Sequence, residues 1–181
     1  MTFSTFSKLK KPEAYWSYKV YEKTDGGIKL INKVGPVKNV VVENYEVVAC
    51  GMLLGSGVFN GGVKYAEVGT GDVGWGVTPP APSISTTALT APLTRRLPFS
   101  KSFVDLVTLE PTDTQTSRIR ISFMLNFFEP DVDGQIIREY ALFGGDASST
   151  LSTGHMINVI RPTPLPKEAF FRIVYEVDFL F

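Results

Sequence analysis

Gly69-Thr70-Gly71-Asp72-Val73-Gly74 has the spacing of a dinucleotide-binding G-x-G-x-x-G turn. That chemistry needs a helix opening directly after the glycines, so that its N-terminus meets the pyrophosphate. Here Trp75-Gly76-Val77-Thr78-Pro79-Pro80 follows, and paired prolines cannot occupy a helix interior. The stretch therefore reads as a strand-to-loop turn. Asp131-Val132-Asp133-Gly134 begins like a calcium loop, which requires oxygen ligands at alternating positions and a glutamate at the twelfth. Counted from Asp131, the fifth position is Gln135 and the twelfth is Leu142. A β-turn carrying exposed acids accounts for it better.

The nucleophiles and acid–base groups are few. His155 is the only histidine and Cys50 the only cysteine. One histidine excludes a two-histidine zinc site within one chain, and no nucleophile-elbow pattern accompanies either residue. Cys50 lies in the apolar run VVACGMLLG, where a buried small hydrophobe is expected. Glu129, Asp131, Asp133 and Glu139 cluster as a glycan-hydrolysing carboxylate pair would, but they flank an evident turn. Arg95-Arg96 is a phosphate-clamp candidate; in a neutral chain, a salt bridge to Glu67, Glu110 or Glu139 is the better expectation. The expectation is a non-enzymatic protein with no catalytic residues, no cofactor-binding residues and no metal ligands.

The chain has 181 residues, 18 basic and 18 acidic side chains, and no net charge. Its length suits one domain able to bury a sizeable core. Neutrality gives no electrostatic signal for nucleic acid or an anionic membrane, and it leaves little repulsion between copies. The first residues, MTFSTFSKLKKPEAYW, contain no apolar signal-peptide core. No stretch approaches the roughly 18 apolar residues of a membrane span. Synthesis in a cytoplasm, with no nucleic-acid or membrane partner, is expected.

Candidate elements follow from periodicity. YWSYKVYEK, the turn Thr24-Asp25-Gly26-Gly27 and IKLINKV read as a hairpin. Residues 39–54 place Val41, Tyr45, Val48 and Met52 on one helical face, with Asn39 as cap and Gly55 as stop. The valines there argue for strand; helix is favoured. Residues 63–68 form a short strand. Prolines and threonines then crowd residues 69–87, a long loop, after which Thr86 could cap one helical turn. Residues 118–128 alternate, with Ile119, Ile121, Phe123, Leu125 and Phe127 on one side. Residues 170–181 do the same with Phe171, Ile173, Tyr175, Val177, Phe179 and Phe181. Further strands are expected at 135–143 and 156–160. The fold class is mainly β: an antiparallel β-sandwich or barrel with one short helix and an N-terminal β-hairpin. Residues 1–38 are expected to form an N-terminal arm and hairpin appendage, and residues 39–181 a single β-rich domain.

Tyr15, Trp16, Tyr18 and Tyr21 crowd the first strand. Trp16 and Tyr18 share one parity, Tyr15 and Tyr21 the other. They are candidates for a protein interface, where aromatic residues are enriched, or for one aromatic face on the core. Trp75 joins them as an interface candidate because it stands in the long loop.

One order of residues runs through much of the chain: Gly69-Thr70-Gly71, a proline-rich loop, Leu89 with Arg95, Glu139 with Leu142-Phe143, Gly154 and Met156 with Arg161, and Lys167 before the last strand. Over residues 39–181 this order resembles a group of tailed-bacteriophage virion structural proteins. The resemblance implies a tail, baseplate, collar or fibre-attachment component, located in the virion and made in the host cytoplasm. It implies a homo-oligomer whose partners are itself and other virion proteins. A capsid decoration protein and a carbohydrate-binding or glycan-cleaving appendage are the alternatives. The stretch around Trp75 and the hairpin depart from the group's pattern and are natural places for virion-specific contacts.

Overall fold

The alternating residues of the hairpin become β1 (Glu13–Thr24), with Ala14, Trp16, Tyr18 and Val20 turned inward, and β2 (Gly27–Val41). The computed structural model describes residues 12–53 and 62–181. After β2 come α1 (Asn44–Leu53), β3 (Val63–Gly69), β4 (Pro92–Arg96), β5 (Ser100–Val104) and β6 (Pro111–Thr112). The chain continues through β7 (Arg118–Leu125), β8 (Gln135–Ile137), β9 (Glu139–Gly144), β10 (His155–Ile160), β11 (Leu165–Lys167) and β12 (Phe171–Leu180). Ten strands form one antiparallel sheet in the order β4-β3-β9-β10-β2-β1-β12-β7-β5-β6, and β11 and β8 pair separately. The architecture is mainly β with one short helix, a curled sheet of the sandwich or barrel kind. Among the described residues no helix is long and apolar enough to cross a membrane.

The sheet folds over at β2. That strand pairs with β1 from Thr24↔Gly27 to Ala14↔Asn39, but with β10 only at Val40 and Val41. The half containing β1, β12, β7, β5 and β6 therefore faces the half containing β10, β9, β3 and β4. One core cluster joins Trp16, Tyr18, Phe123 and Tyr175 of the first half to Tyr140, Leu142 and Ile157 of the second. The period-two reading of β7 and β12 holds in their interiors, where Ile121, Phe123, Leu125, Ile173, Tyr175 and Val177 are all buried, but Phe181, expected on the same face, follows the end of β12 and is exposed. Arg118 and Arg120 on the opposite face share Asp178 at 2.5 and 2.7 Å, and Lys19 lies 3.3 Å from Glu176.

The hairpin is not an appendage. β1 lies inside the sheet, in continuous register with β12 from Glu13↔Leu180 to Glu22↔Phe171. The reason is the aromatic face: Trp16 and Tyr18 stack at 5.3 Å, and Trp16 meets Tyr140 at 6.1 Å. Removing that area from water is worth too much for the strand to stand apart. Residues 1–11 of the expected arm lie outside the described residues. The helix forms, but β2 runs through Val41, so α1 starts at Asn44 and Asn39 is a strand residue rather than a cap. The expected stop at Gly55 lies outside the described residues.

At the centre, Tyr175 donates a hydrogen bond to the Tyr140 hydroxyl at 3.0 Å, and the rings lie 4.4 Å apart. Phe123 stacks on Tyr175 at 4.8 Å. Burial pushes both phenols well above their ordinary range. Above pH about 10 the unfolded chain releases both protons while the folded protein keeps them. Stability must therefore fall as pH rises, by roughly 1.4 kcal/mol per pH unit for each phenol. Tyr140→Phe removes one phenol's share of that slope, measured as urea unfolding free energy between pH 9 and 11. An alkaline slope unchanged by the substitution argues against buried, protonated phenols.

Candidate functional site

A sheet half that carries loops on its outer face is where this chain concentrates its buried charges. Every residue of β9 is buried, as are Met156–Ile160 of β10. One face of these strands meets the opposite half; the other is covered by residues 70–91 and 145–154. A second apolar cluster, including Leu89, Phe143, Ala147 and Met156, lies under that cover.

Glu67 on β3 and Arg95 on β4 are register partners on this face. Both are buried, and the Arg95 Nε–H donates to the Glu67 carboxylate. The guanidinium lies 4.5 Å over the Phe143 ring and 5.7 Å from Tyr65. Its remaining donors reach the Ser148 carbonyl at 2.7 Å, the Thr153 hydroxyl at 3.0 Å and the Thr153 carbonyl at 2.9 Å. Glu67 also accepts the Ser152 N–H at 2.8 Å. One ion pair thus clamps the 145–154 loop to the sheet.

A second node fixes the long loop. Glu139 is fully buried and accepts the Ala91 N–H at 2.8 Å. Its register partner is Gly69, where an added Cβ meets the Ala91 carbonyl oxygen at 2.6 Å and Glu139 at 2.8 Å. Gly71 has φ near 59°, and the Trp75 ring packs where its side chain would stand. Arg161 lies over the Trp75 ring at 4.3 Å and reaches the Pro80 carbonyl at 3.3 Å and the Thr90 hydroxyl at 3.4 Å. Arg138 binds the Thr70 carbonyl at 3.1 Å. The G-x-G-x-x-G spacing thus serves close packing of a loop, and no helix follows it. The single helical turn expected at Thr86 is absent; the Thr86 N–H instead closes a turn onto the Ser83 carbonyl.

The third node is the acidic turn. Lys167, fully buried, donates to Asp133 at 2.6 Å and to the Glu168 carbonyl at 2.9 Å. Arg96 reaches Glu129 at 2.9 Å and both oxygens of Asp131 at 2.9 and 3.0 Å. Burial opposes ionisation of Asp131, but the Thr94 hydroxyl and Arg96 outweigh it and hold the carboxyl below its ordinary value. Glu129, Asp131 and Asp133 thus each lie against a neighbouring cation. Among the described residues no three His, Cys, Asp or Glu side chains are grouped to hold a metal ion.

Other sequence candidates separate. Trp16 and Tyr18 are core residues, while Tyr15 and Tyr21 lie on the outer face of β1, half-buried. The Tyr15 hydroxyl donates to Glu13 at 2.8 Å. Trp75 is half-buried beneath Arg161. Cys50 is exposed, not buried: α1 turns Val48 and Tyr45 toward the core, which leaves Cys50 on the outside. His155 lies 4.0 Å from Asp146 at the half-buried start of β10. An apolar cavity of about 610 Å³ lies between α1 and the ends of β3, β5, β7 and β12, lined by Tyr45, Val48, Phe103, Ile121, Phe179 and Phe181 among others. Lys101 also lines it, and burial lowers the affinity of that amine for its proton.

Apolar side chains on the turns escaped the reading from sequence. Leu106, Val107 and Leu109 are exposed between β5 and β6, Val107 at 90%. The local signal was Asp105, whose carboxylate accepts the Val107 and Thr108 N–H groups and shapes a turn that turns these residues outward. Comparison of the chain with protein-family models, with curated proteins and with solved structures finds no match.

Two outcomes test the clamps. Arg95→Leu leaves Glu67 buried and unpaired and costs about 3–5 kcal/mol in urea unfolding; adding Glu67→Leu recovers part of that loss. A double variant no more stable than the single one argues against the pairing. Gly69→Ala forces Ala91 away and exposes residues 70–91 to limited proteolysis while residues 118–125 stay protected. Unchanged cleavage kinetics contradict the close-approach argument.

Proposed function

We propose that this chain is a non-enzymatic structural component of a tailed-phage virion. It acts in the tail, baseplate, collar or fibre attachment through contacts between subunits. The supporting observation is how the residues of the phage-like order are used. Gly69, Gly71, Arg95, Glu139 and Arg161 hold loops in fixed positions on one sheet half, and Lys167 of β11 holds the acidic turn. Charged groups buried for this purpose are committed to shape, and the 70–91 loop they hold exposes Val73, Val77 and Ile84 among polar residues. Rigid loops displaying apolar side chains suit repeated protein–protein contact, because little conformational entropy is lost on docking.

The glycan-cleaving alternative finds less support. It needs a carboxylic acid and a carboxylate that face a substrate, whereas Glu129, Asp131 and Asp133 are paired with Arg96 and Lys167 and Glu139 is fully buried beneath the 70–91 loop. A head-decoration role shares the same physics and differs in location.

The test is to purify particles produced by the genome that encodes the chain and locate it by labelled antibody and image reconstruction. The expected result is a fixed, repeated copy number at the tail or its attachment. Recovery only in the particle-free lysate rejects the reading, and density over the head lattice moves it to decoration.

A further inference from the structure

Among the described residues, the outermost stretch of β2 is an open sheet edge: from Gly27 to Lys38 this strand pairs with β1 alone, because β10 joins only at Val40 and Val41. Ile28, Leu30, Ile31 and Val37 are exposed along it, Ile28 at 57%. The same stretch carries Lys29, Lys33 and Lys38 and no acid. Lys29 and Lys33 are exposed and have no ion-pair partner among the described residues. An open edge of this length is a template for another chain. Lysines on it oppose pairing of the edge with its own copy, since like charges brought opposite one another are destabilising.

A complementary surface exists on the same molecule, out of its own reach. β6 is the other margin of this sheet half, whose order from β2 is β1, β12, β7, β5, β6. Five strand spacings separate the two margins, roughly 24 Å. They also lie at opposite ends of the strands. The hairpin tip adjoins Glu22↔Phe171, whereas the β5–β6 turn adjoins Phe103↔Ile119 and hence Leu180↔Arg118. Residues 105–113 carry Asp105, Glu110 and Asp113 with no base, and their Leu106, Val107 and Leu109 are exposed. The β2 edge is basic and apolar; the β6 margin is acidic and apolar.

We propose that the open edge of β2 docks against the β5–β6 turn and β6 margin of a second copy of this chain. The inference rests on reading the chain as an assembly subunit, and it names the contact. Two different surfaces meet, so the interface is heterologous. Repetition of one such contact gives a ring if the rotation closes and a filament if it does not. The lysines then serve twice, rejecting a like edge and attracting Glu110 and Asp113.

The experiment is complementary charge reversal followed by sedimentation velocity over a concentration series. Asp105 is left intact because it shapes the turn. The wild type self-associates, and more weakly in 0.5 M salt. Lys29→Glu with Lys33→Glu, and separately Glu110→Lys with Asp113→Lys, each weaken self-association at least tenfold, with circular dichroism and melting unchanged. A one-to-one mixture of the two variants restores it, since each reversed surface then meets its complement. A wild type that stays monomeric throughout overturns the inference. So do reversed variants that associate like the wild type, or folded variants whose mixture stays apart. Incorporation of the wild type into particles is scored separately. Its presence there with charge-insensitive association leaves the virion reading standing and removes this contact; its absence from particles rejects that reading whatever the sedimentation shows.

Discussion

A guanidinium taken out of water must find acceptors for its donors or destabilise whatever buries it. Arg95 meets that demand by drawing Glu67 from the adjacent strand and the backbone of residues 148–153 from across a loop. The constraint works in both directions. The loop supplies the acceptors that make the burial tolerable, and the buried cation gives the loop one position rather than many. Phe143 beneath the guanidinium adds a flat, weakly polar floor that suits a delocalised cation better than an ammonium. Much of the second sheet half follows from this node, because without the loop's cover the outward residues of β9 and β10 would lie in water.

That cover explains an unusual burial pattern. An antiparallel sheet commonly keeps one face wet and shows it as alternation. β12 and β7 behave so, with Arg118, Arg120 and Glu176 outward over an apolar core. β9 shows no alternation, since Glu139 and Ala141 on its outer face are as buried as Tyr140 and Leu142 on the inner. Loops do here what helices do in α/β proteins. Backbone in a covering loop must be satisfied without a ladder. The buried side chains Glu67, Glu139 and Arg95 supply partners to Ala91, Ser148, Ser152 and Thr153, and partly exposed Arg161 and Arg138 supply them to Pro80 and Thr70.

The legible parts of the sequence were those whose local pattern and tertiary role agree. Alternation at Ile121, Phe123 and Leu125, and at Ile173, Tyr175 and Val177, needs only a half-buried strand to be read correctly. Parity also separated Trp16 and Tyr18 from Tyr15 and Tyr21, although it could not say which pair faced the core. Illegibility set in where a distant partner decides. Residues 39–41 continue a strand because Val40 and Val41 meet β10 far along the chain, while their spacing also suits a helix. Cys50 sits in an apolar run, but a short helix against a sheet buries only one side. The strands β4, β6 and β11 are too short for periodicity and exist through their pairing. The clamps were visible only as residue types: Arg95 with Glu67 was one of three acid partners the sequence allowed, and Lys167 and Arg161 appeared as members of an order without a stated role.

A protein that concentrates its ionisable groups in a buried network has two uses for them. Catalysis requires at least one such group to be unmatched and facing a substrate, so that its protonation can change at little cost. Anchoring favours the reverse, a charge paired with an opposite one, because loss of the partner weakens the loop it holds. Lys167 with Asp133, Arg95 with Glu67 and Arg96 with Glu129 and Asp131 are paired in this way, while the buried Glu139 keeps one oxygen without a hydrogen bond, 3.9 Å from Arg161. The exposed apolar residues complete the argument. Val73, Val77, Ile84, Leu106 and Val107 sit on loops or turns, and Ile28, Leu30 and Ile31 on an open edge, so the chain displays hydrophobic area where another chain can reach it. Area presented on fixed supports binds with less ordering cost than the same area on mobile ones. Buried charge thus fixes the loops, and the apolar area those loops expose is held in place by the same pairs.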